Sequence, residues 1–211
     1  YDYLQNANGL GLRYYQIDAI KAVESKIINN PDDKRSLLVM ATGTGKTRTT
    51  IGLAYRLIKS DRFKRILFLT DRRLLASQAL GSFKDNKVEE INTFANIYKM
   101  EEMKNVFPES ETRLHFATVQ SMVKRLFYSN DSILPIDTYD CIIIDEAHRG
   151  YNLDKEINEE DLLFKDENDY VGQYKRVIEY FNAYIVGLTA TPALHTTEIF
   201  GKPVHNYSYR E

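Results

Sequence analysis

Apolar and polar residues alternate along this chain with two different periods. Ile20, Val23 and Ile27 lie at spacings of three and four, which predicts a helix with one buried face over residues 13–29. Residues 36–40 then form a short, continuous apolar run, which is typical of a strand buried on both faces. The two patterns therefore predict a helix followed by a buried strand.

The same alternation continues through the rest of the chain. Strands are predicted at residues 36–40, 65–70, 114–118, 139–145 and 184–188. Helices are predicted at residues 13–29, from the end of a glycine-rich turn through Ile58, and at residues 73–83, 120–127 and 171–181. Strands that alternate with helices predict an α/β fold whose mainly parallel sheet is covered by helices on both faces. In such sheets, ligands bind beyond the carboxyl ends of the strands.

Composition limits the class of protein. The chain has 211 residues, of which 43% are hydrophobic, with one cysteine and no tryptophan. These values predict one domain or two small ones, and they exclude collagen-like, disordered and disulfide-rich secreted proteins. Apolar runs in the sequence stay far below the ~18 residues of a membrane span. We therefore expect a cytoplasmic protein without a membrane partner.

Acidic residues are concentrated in one segment. Residues 151–170 contain eight acidic and two basic side chains, a net charge of −6. Because the whole chain carries −2, the remainder carries +4, which permits binding to a polyanion without demonstrating it. We predict an acidic insert at residues 151–170, either a solvated loop or a partner contact, in a domain over residues 12–211. Residues 1–11 are predicted to be the remnant of a linker.

A glycine-rich segment follows the strand at residues 36–40 and opens the next helix. It reads Ala-Thr-Gly-Thr-Gly-Lys-Thr over residues 41–47, in the context in which such a segment binds phosphate. Backbone N–H groups cradle the phosphates, Lys46 reaches the β and γ phosphates, and the Thr47 hydroxyl ligates Mg²⁺. The predicted ATP contacts in this segment are Thr42, Gly43, Thr44, Gly45, Lys46, Thr47 and Arg48. Met40 replaces the first glycine of the strict motif, and a flexible turn before a helix is the alternative interpretation.

Two adjacent carboxylates end the strand predicted at residues 139–145. Asp145 is predicted to hold Mg²⁺, and Glu146 to orient or activate the water that attacks the phosphate. Structural salt bridges are the alternative role for this pair. His148 lacks the spacing of a zinc ligand, so we interpret it as a polar coupler across the cleft or as an ordinary surface histidine.

These segments resemble superfamily 2 helicases and translocases. Residues 145–148 read Asp-Glu-Ala-His, the DEAH form of motif II in that superfamily, and Thr-Ala-Thr-Pro at residues 189–192 resembles motif III. The resemblance covers nearly the whole chain, and it is stronger to the motor region of type I restriction enzyme R (HsdR-type) subunits than to RNA helicases. The segments that carry it are residues 12–16, 40–47, 71–73 with Gln78, 145–149, 187–192 and 200–203.

The resemblance implies roles for further residues by position. Gln16, with Arg13 nearby, matches the glutamine that reads adenine, although a surface glutamine is the alternative. Thr189 and Thr191 match the coupling between nucleotide state and grip on nucleic acid, or else they cap a strand end. The predicted nucleic-acid contacts are Thr118, Gln120 and Ser121, to which Arg72 and Arg73 add charge, although a solvated helix start is the alternative for the two arginines. Tyr207 and Tyr209 could stack on bases, although a strand or linker that leaves the domain also explains them.

The resemblance also implies the fold and the function. It implies a three-layer, RecA-like ATP-binding lobe of a DNA translocase that couples Mg-ATP hydrolysis to movement on double-stranded DNA. The implied partners are a second RecA-like lobe and a nuclease domain of the same full-length protein, together with methyltransferase and specificity subunits. The isolated chain is then expected to bind ATP and hardly hydrolyse it. The lobe of another repair or RNA helicase, and a P-loop module that is not a motor, remain as alternatives.

Overall fold

The computed structural model describes residues 1–103, 107–130, 133–145, 147 and 167–208. The helices are α1 (Asp2–Gln5), α2 (Tyr14–Asn29), α3 (Lys46–Lys59), α4 (Arg73–Asp85), α5 (Phe94–Ile97), α6 (Val119–Val123), α7 (Glu167–Tyr180) and α8 (Leu194–Phe200). The strands are β1 (Arg35–Met40), β2 (Ile66–Thr70), β3 (Lys87–Glu89), β4 (Asn92–Thr93), β5 (Lys99–Glu102), β6 (Thr112–Thr118), β7 (Cys141–Ile144), β8 (Tyr184–Thr189) and β9 (Pro203–Tyr207). A π-helical turn, Lys124–Tyr128, continues α6.

Seven strands form one sheet in the order β5-β6-β2-β7-β8-β1-β9. All six pairings between neighbouring strands in this sheet are parallel. The remaining strands, β3 and β4, form a short antiparallel pair beside the main sheet. Because the seven strands run in one direction, their carboxyl ends all lie at a single edge of the sheet.

Alternate residues of each central strand face opposite layers of helices. On β7, Cys141 and Ile143 belong to the apolar core that also contains residues of α2, α3 and α4. Ile142 and Ile144 belong to the core that contains residues of α6, α7 and α8. The sheet is therefore covered on both faces, as the continuous apolar runs predict. The predicted α/β class with a parallel sheet is confirmed.

The predicted strands and helices are all present among the described residues, with bounds that differ by a few residues. The predicted helix at residues 120–127 is divided into a short α-helix and the π-helical turn. The elements that the sequence pattern missed are α1, α5, α8, β3, β4, β5 and β9. Two of these, β5 and β9, are the edge strands of the sheet, where half-exposed and polar residues replace the apolar run.

Residues 1–11 differ from the linker that we expected. Leu4 and Leu10 are buried in the core on the α2 and α3 side of the sheet, and the Leu12 N–H donates to the Leu4 carbonyl at 2.7 Å. This segment therefore packs against the domain instead of leaving it. Most of the predicted acidic insert lies outside the described residues. No helix among the described residues combines the length and the apolar character that crossing a membrane requires.

Candidate nucleotide-binding site

The glycine-rich segment, residues 41–47, connects β1 to α3 at the carboxyl edge of the sheet and is called the phosphate loop below. Gly43 and Gly45 have φ angles of +81° and +80°, a region that side chains with a Cβ rarely adopt. The Thr44 N–H and hydroxyl both donate to the Ala41 carbonyl, at 3.2 and 2.6 Å. The loop thus has a defined turn, which its two glycines and the buried Thr44 maintain.

The predicted phosphate contacts are not equally accessible. Thr42, Gly43 and Thr47 are exposed, and Lys46, the first residue of α3, is half-buried. Thr44 is only 1% exposed, so its side chain shapes the loop. Arg48 was predicted to contact the nucleotide, but its Nη1 donates to the Leu10 carbonyl at 3.2 Å. Arg48 therefore ties α3 to the amino-terminal segment in this structure.

The first turn of α2 contacts the phosphate loop directly. The Gln16 Nε2 donates to the carbonyls of Thr44 and Gly45, at 3.0 and 3.1 Å. The Gln16 Oε1 accepts from the N–H of Arg13, the exposed residue that precedes the helix, at 2.8 Å. Both amide donors are thus engaged by the loop. The predicted contact between Gln16 and adenine would require this amide to leave the carbonyls that it now holds.

Tyr15 and Tyr207 were not predicted to support the loop. The Tyr15 hydroxyl donates to the Thr44 carbonyl at 3.1 Å, and its ring stacks on Tyr207 with a centroid distance of 4.0 Å and an interplanar angle of 7°. Tyr207 was considered as a platform for bases, but this face of its ring is occupied by Tyr15. Tyr209, the other candidate platform, lies outside the described residues. No sequence spacing could have paired two residues at opposite ends of the chain.

Asp145 directly follows β7 and is half-buried at the same edge of the sheet. Its N–H donates to the Leu69 carbonyl at 3.3 Å, and the N–H of Ala147 donates to the Leu188 carbonyl at 2.9 Å. These bonds hold the end of β7 between β2 and β8. Glu146 and His148, the other predicted residues of this motif, lie outside the described part of the chain.

The strand order brings the phosphate loop and Asp145 to one edge of the sheet. Only β8 separates β1 from β7, and neighbouring strands lie about 5 Å apart, so the two strands are about 10 Å apart. An exposed hydroxyl at Thr47 and a carboxylate at Asp145 are the hard oxygen donors that Mg²⁺ prefers. Mg²⁺ usually takes one or two protein oxygens and completes its shell with phosphates and water. The residues present therefore fit a magnesium nucleotide.

The described residues contain no cluster of three or more His, Cys, Asp or Glu side chains that could hold a metal ion by themselves.

Two of the three predicted coupling residues, Thr189 and Thr191, lie at the end of β8, the strand between β1 and β7. The Thr189 hydroxyl donates to the Thr191 carbonyl and accepts from the Thr191 N–H, both at 3.2 Å. Thr189 is fully buried, whereas Thr191 is exposed. The side chain of Thr189 thus caps the strand, and Thr191 is the one that a partner could reach.

The predicted nucleic-acid contacts gather at the carboxyl ends of β2 and β6, but two of them are buried. Thr118 is 3% exposed, and its hydroxyl accepts from the Ser121 N–H at 3.1 Å, which caps α6. Gln120 is 7% exposed. Arg72 and Arg73 are exposed and Ser121 is half-exposed. Arg72, Arg73 and Ser121 are therefore the accessible members of the predicted surface, and the contacts of the buried Thr118 and Gln120 with nucleic acid remain predictions.

The chain is similar in sequence to the endonuclease subunits of type I restriction enzymes. The Type I restriction enzyme EcoKI endonuclease subunit of Escherichia coli K12 is 54% identical over 201 residues, which are 95% of this chain and 17% of that relative. The chain thus spans about a sixth of the length of this relative.

Solved structures share the fold. The fragment structure of an HsdR subunit of a type I restriction enzyme from Vibrio vulnificus YJ016 has a TM-score of 0.60 at 27% identity and covers 98% of this chain and 32% of its own. The Type ISP enzyme LlaBIII, solved bound to DNA, has a TM-score of 0.63 at 18% identity and covers 92% and 15%. The UvsW helicase from bacteriophage T4 has a TM-score of 0.57 at 15% identity and covers 93% and 59%. The fold is therefore the RecA-like fold of helicase motor domains.

One family description matches most of the sequence. The match extends over residues 9–194, which include the phosphate loop, Asp145 and both predicted coupling threonines. The chain therefore belongs to the restriction enzyme family described as "Type III restriction enzyme, res subunit".

Proposed function

We propose that this chain binds Mg-ATP at the phosphate loop and acts as the motor lobe of a type I restriction enzyme R subunit. The observation that carries the proposal is the geometry at the edge of the sheet where the carboxyl ends of the strands lie. A loop with two glycines at positive φ leads from β1 into Lys46 at the start of α3. Asp145 follows β7, a strand of the same sheet that lies about 10 Å from β1. This arrangement suits a triphosphate and its magnesium ion.

The proposed roles follow from the chemistry of each side chain. Lys46 neutralises charge on the β and γ phosphates, and the backbone N–H groups of the loop bind their oxygens. Thr47 and Asp145 hold Mg²⁺, which supplies electrostatic stabilisation of the phosphates when it is bound. Glu146 orients the attacking water, and His148, Thr189 and Thr191 link the nucleotide to the rest of the motor. These assignments rest on residue type and on motif position.

The wider function is supported by the relatives. A 54% identical protein is the endonuclease subunit of a type I restriction enzyme. We propose that in the full-length protein this lobe works with a second RecA-like lobe and a nuclease domain, beside methyltransferase and specificity subunits. ATP hydrolysis then drives movement on double-stranded DNA, in line with the DNA-bound LlaBIII enzyme of the same fold. Arg72, Arg73 and Ser121 are the proposed contacts with the DNA backbone.

The isolated chain is proposed to bind Mg-ATP and to hydrolyse it very slowly. Motors of this superfamily complete the site with an arginine from the second lobe, and arginines of this kind accelerate phosphoryl transfer by about 10³- to 10⁵-fold. Rapid, DNA-stimulated turnover by the 211-residue chain alone would contradict this part of the proposal.

Titration calorimetry with Mg-ATP tests the nucleotide site. Lys46→Ala is expected to weaken binding about 10- to 100-fold, because charge-assisted hydrogen bonds to phosphate are lost. Lys59→Ala is the matched control, since Lys59 ends the same helix, α3, where it pairs with Glu89 at 2.6 Å. It is expected to leave binding unchanged. Equal affinity of the Lys46→Ala variant and the unaltered chain would refute the nucleotide site.

The proposed substrate needs a separate test in the full-length protein. Duplex DNA is expected to stimulate ATP hydrolysis, and single-stranded RNA is not. Stimulation by RNA alone would favour a motor that remodels RNA and would contradict the assignment to DNA.

A further inference from the structure

Two consecutive carbonyl groups of the phosphate loop are held from the α2 side. The Thr44 carbonyl accepts from the Tyr15 hydroxyl at 3.1 Å and from the Gln16 Nε2 at 3.0 Å. The Gly45 carbonyl accepts from the same Nε2 at 3.1 Å. Tyr15 and Gln16 are 6% and 4% exposed, so water competes little for these hydrogen bonds.

Because peptide groups are planar, these hydrogen bonds to the carbonyls also determine where the neighbouring N–H groups point. In a planar trans peptide, the carbonyl of one residue and the N–H of the next point in opposite directions. Fixing the Thr44 carbonyl toward α2 therefore directs the Gly45 N–H away from it. The Gly45 carbonyl also accepts from the N–H and hydroxyl of Thr49 in α3, at 3.0 and 3.2 Å, so Gln16 and the first turn of α3 together set the direction of the Lys46 N–H. N–H groups at these positions of a glycine-rich loop are the ones that bind phosphate oxygens.

The stacked rings extend the support to the first residue of the loop. Tyr15 lies flat on Tyr207, and the Tyr207 carbonyl accepts from the Ala41 N–H at 3.0 Å. One pair of rings thus connects the start of the loop, through the Tyr207 backbone, with its middle, through the Tyr15 hydroxyl. The contact also joins α2 to β9 at the edge of the sheet.

The glycine at position 45 makes this approach possible. A Cβ on Gly45 would collide with the Gln16 Nε2, so a residue with a side chain would displace the amide from the carbonyls that it holds. The close approach of Gln16 and the positive φ of Gly45 both require glycine at this position.

We infer that Tyr15 and Gln16, supported by Tyr207, are positioning residues that orient the N–H groups of Gly45 and Lys46 toward bound phosphate. The inference rests on the proposed function for its ligand, and it assigns to Gln16 a role different from reading adenine. Tyr15 and Gln16 then contribute to affinity for the polyphosphate group and leave discrimination between bases unchanged.

Hydrogen exchange in the nucleotide-free chain tests the positioning directly. Tyr15→Phe removes one hydroxyl and keeps the stacked ring. It is expected to accelerate amide exchange in the peptide covering residues 41–47 by about 2- to 10-fold, which is the effect of one lost hydrogen bond. Tyr14→Phe is the matched control, because Tyr14 is 70% exposed and its hydroxyl has no hydrogen-bond partner among the described residues. The control is expected to leave the exchange of this peptide unchanged.

Binding of two ligands separates positioning from base reading. The unaltered chain, Tyr15→Phe and Gln16→Glu are titrated with Mg-ATP and with magnesium tripolyphosphate, which has no base. We expect each variant to lose affinity for both ligands by the same factor, about 2- to 10-fold for Tyr15→Phe. A thermal unfolding curve of each variant identifies any effect that comes from loss of folded protein.

The results of these experiments show separately whether the inference fails and whether the proposed function fails. If Gln16→Glu weakens Mg-ATP alone, Gln16 reads the base and the inference is wrong. If Tyr15→Phe changes neither loop exchange nor the affinity of folded protein, the Tyr15 contact is only structural and the inference is also wrong. If the unaltered chain binds neither ligand, the proposed function fails, while faster loop exchange in Tyr15→Phe still supports the positioning of the loop.

Discussion

At the scale of single residues, the backbone of the phosphate loop depends on Gly45. Its φ of +80° is strained for any residue with a side chain, and a Cβ at this position would displace the Gln16 amide. Gly45→Ala is expected to destabilise the fold by about 1–2 kcal/mol, because alanine is strained at positive φ. Mg-ATP affinity is expected to fall as well, since Gln16 is displaced. Urea unfolding and calorimetry measure the two effects.

Gly81 provides the matched control for that substitution. It lies inside α4, and a Cβ at this position would meet nothing within 4 Å. Gly81→Ala is expected to stabilise the chain by about 0.5–1 kcal/mol through helix propensity, with no change in nucleotide affinity. If both alanine variants gave the same change in stability and binding, the special conformation of Gly45 would have no energetic consequence.

At the scale of elements, β8 and α8 meet at a close contact between Gly187 and Phe200. A Cβ on Gly187 would lie 3.0 Å from two atoms of the Phe200 ring, which is fully buried. Gly187→Ala is therefore expected to destabilise the fold by about 1–3 kcal/mol, as overpacking of a rigid core does. The free energy of unfolding in urea measures the cost.

A double-mutant cycle tests whether that cost comes from the contact itself. Combining Gly187→Ala with Phe200→Leu is expected to cost less than the sum of the two single changes, because the smaller side chain makes room for the methyl group. Gly172→Ala, in α7 and with open space around it, is the control and is expected to be neutral or stabilising. Strict additivity would show that Phe200 is not the source of the strain.

Some strands of the sheet could be predicted from the sequence and others could not. Buried parallel strands such as β1 and β7 are continuous apolar runs, so their positions are visible in the pattern. The edge strands β5 and β9 have no such run, because within the described part of the chain one side of each pairs with no strand and their residues are only partly buried. Their pairing depends on residues that are distant along the chain, and no local pattern records it.

The candidate site likewise has parts that the sequence could predict and parts that it could not. The phosphate loop was predictable because its glycines, Lys46 and Thr47 are contiguous in the sequence. The hydrogen bonds of Gln16 were not, because they go to backbone carbonyls that carry no sequence signal. The stack of Tyr15 on Tyr207 was missed for a different reason, since it joins the two ends of the chain.

At the scale of the whole molecule, stability is expected to fall in mild acid because of His115. Burial lowers the pKa of this histidine from 6.5 to about 4, against the opposing charge of Glu101. The unfolded chain therefore takes up a proton between these values and the folded chain does not, so the free energy of unfolding falls as the pH drops through this window. The expected loss between pH 7 and pH 5 is about 2 kcal/mol.

Urea unfolding at these two pH values, for the unaltered chain and for His115→Asn, checks the expectation. The variant is expected to lose most of the pH dependence. A smaller remainder is expected from His205, whose pKa burial also lowers. An equally steep pH dependence in the variant would assign the effect to other groups.

The position of β1 in the sheet has a consequence for the order in which the site can form. The strand that leads into the phosphate loop is synthesised early, yet both of its neighbours, β8 and β9, come last along the chain. On the ribosome, β1 must therefore wait for almost the entire domain before it has a strand on either side. The backbone N–H and C=O groups of β1 then lack their ladder partners until the final strands emerge. A nascent chain halted before Tyr184 would carry every residue of the loop and still have no place to bind a nucleotide.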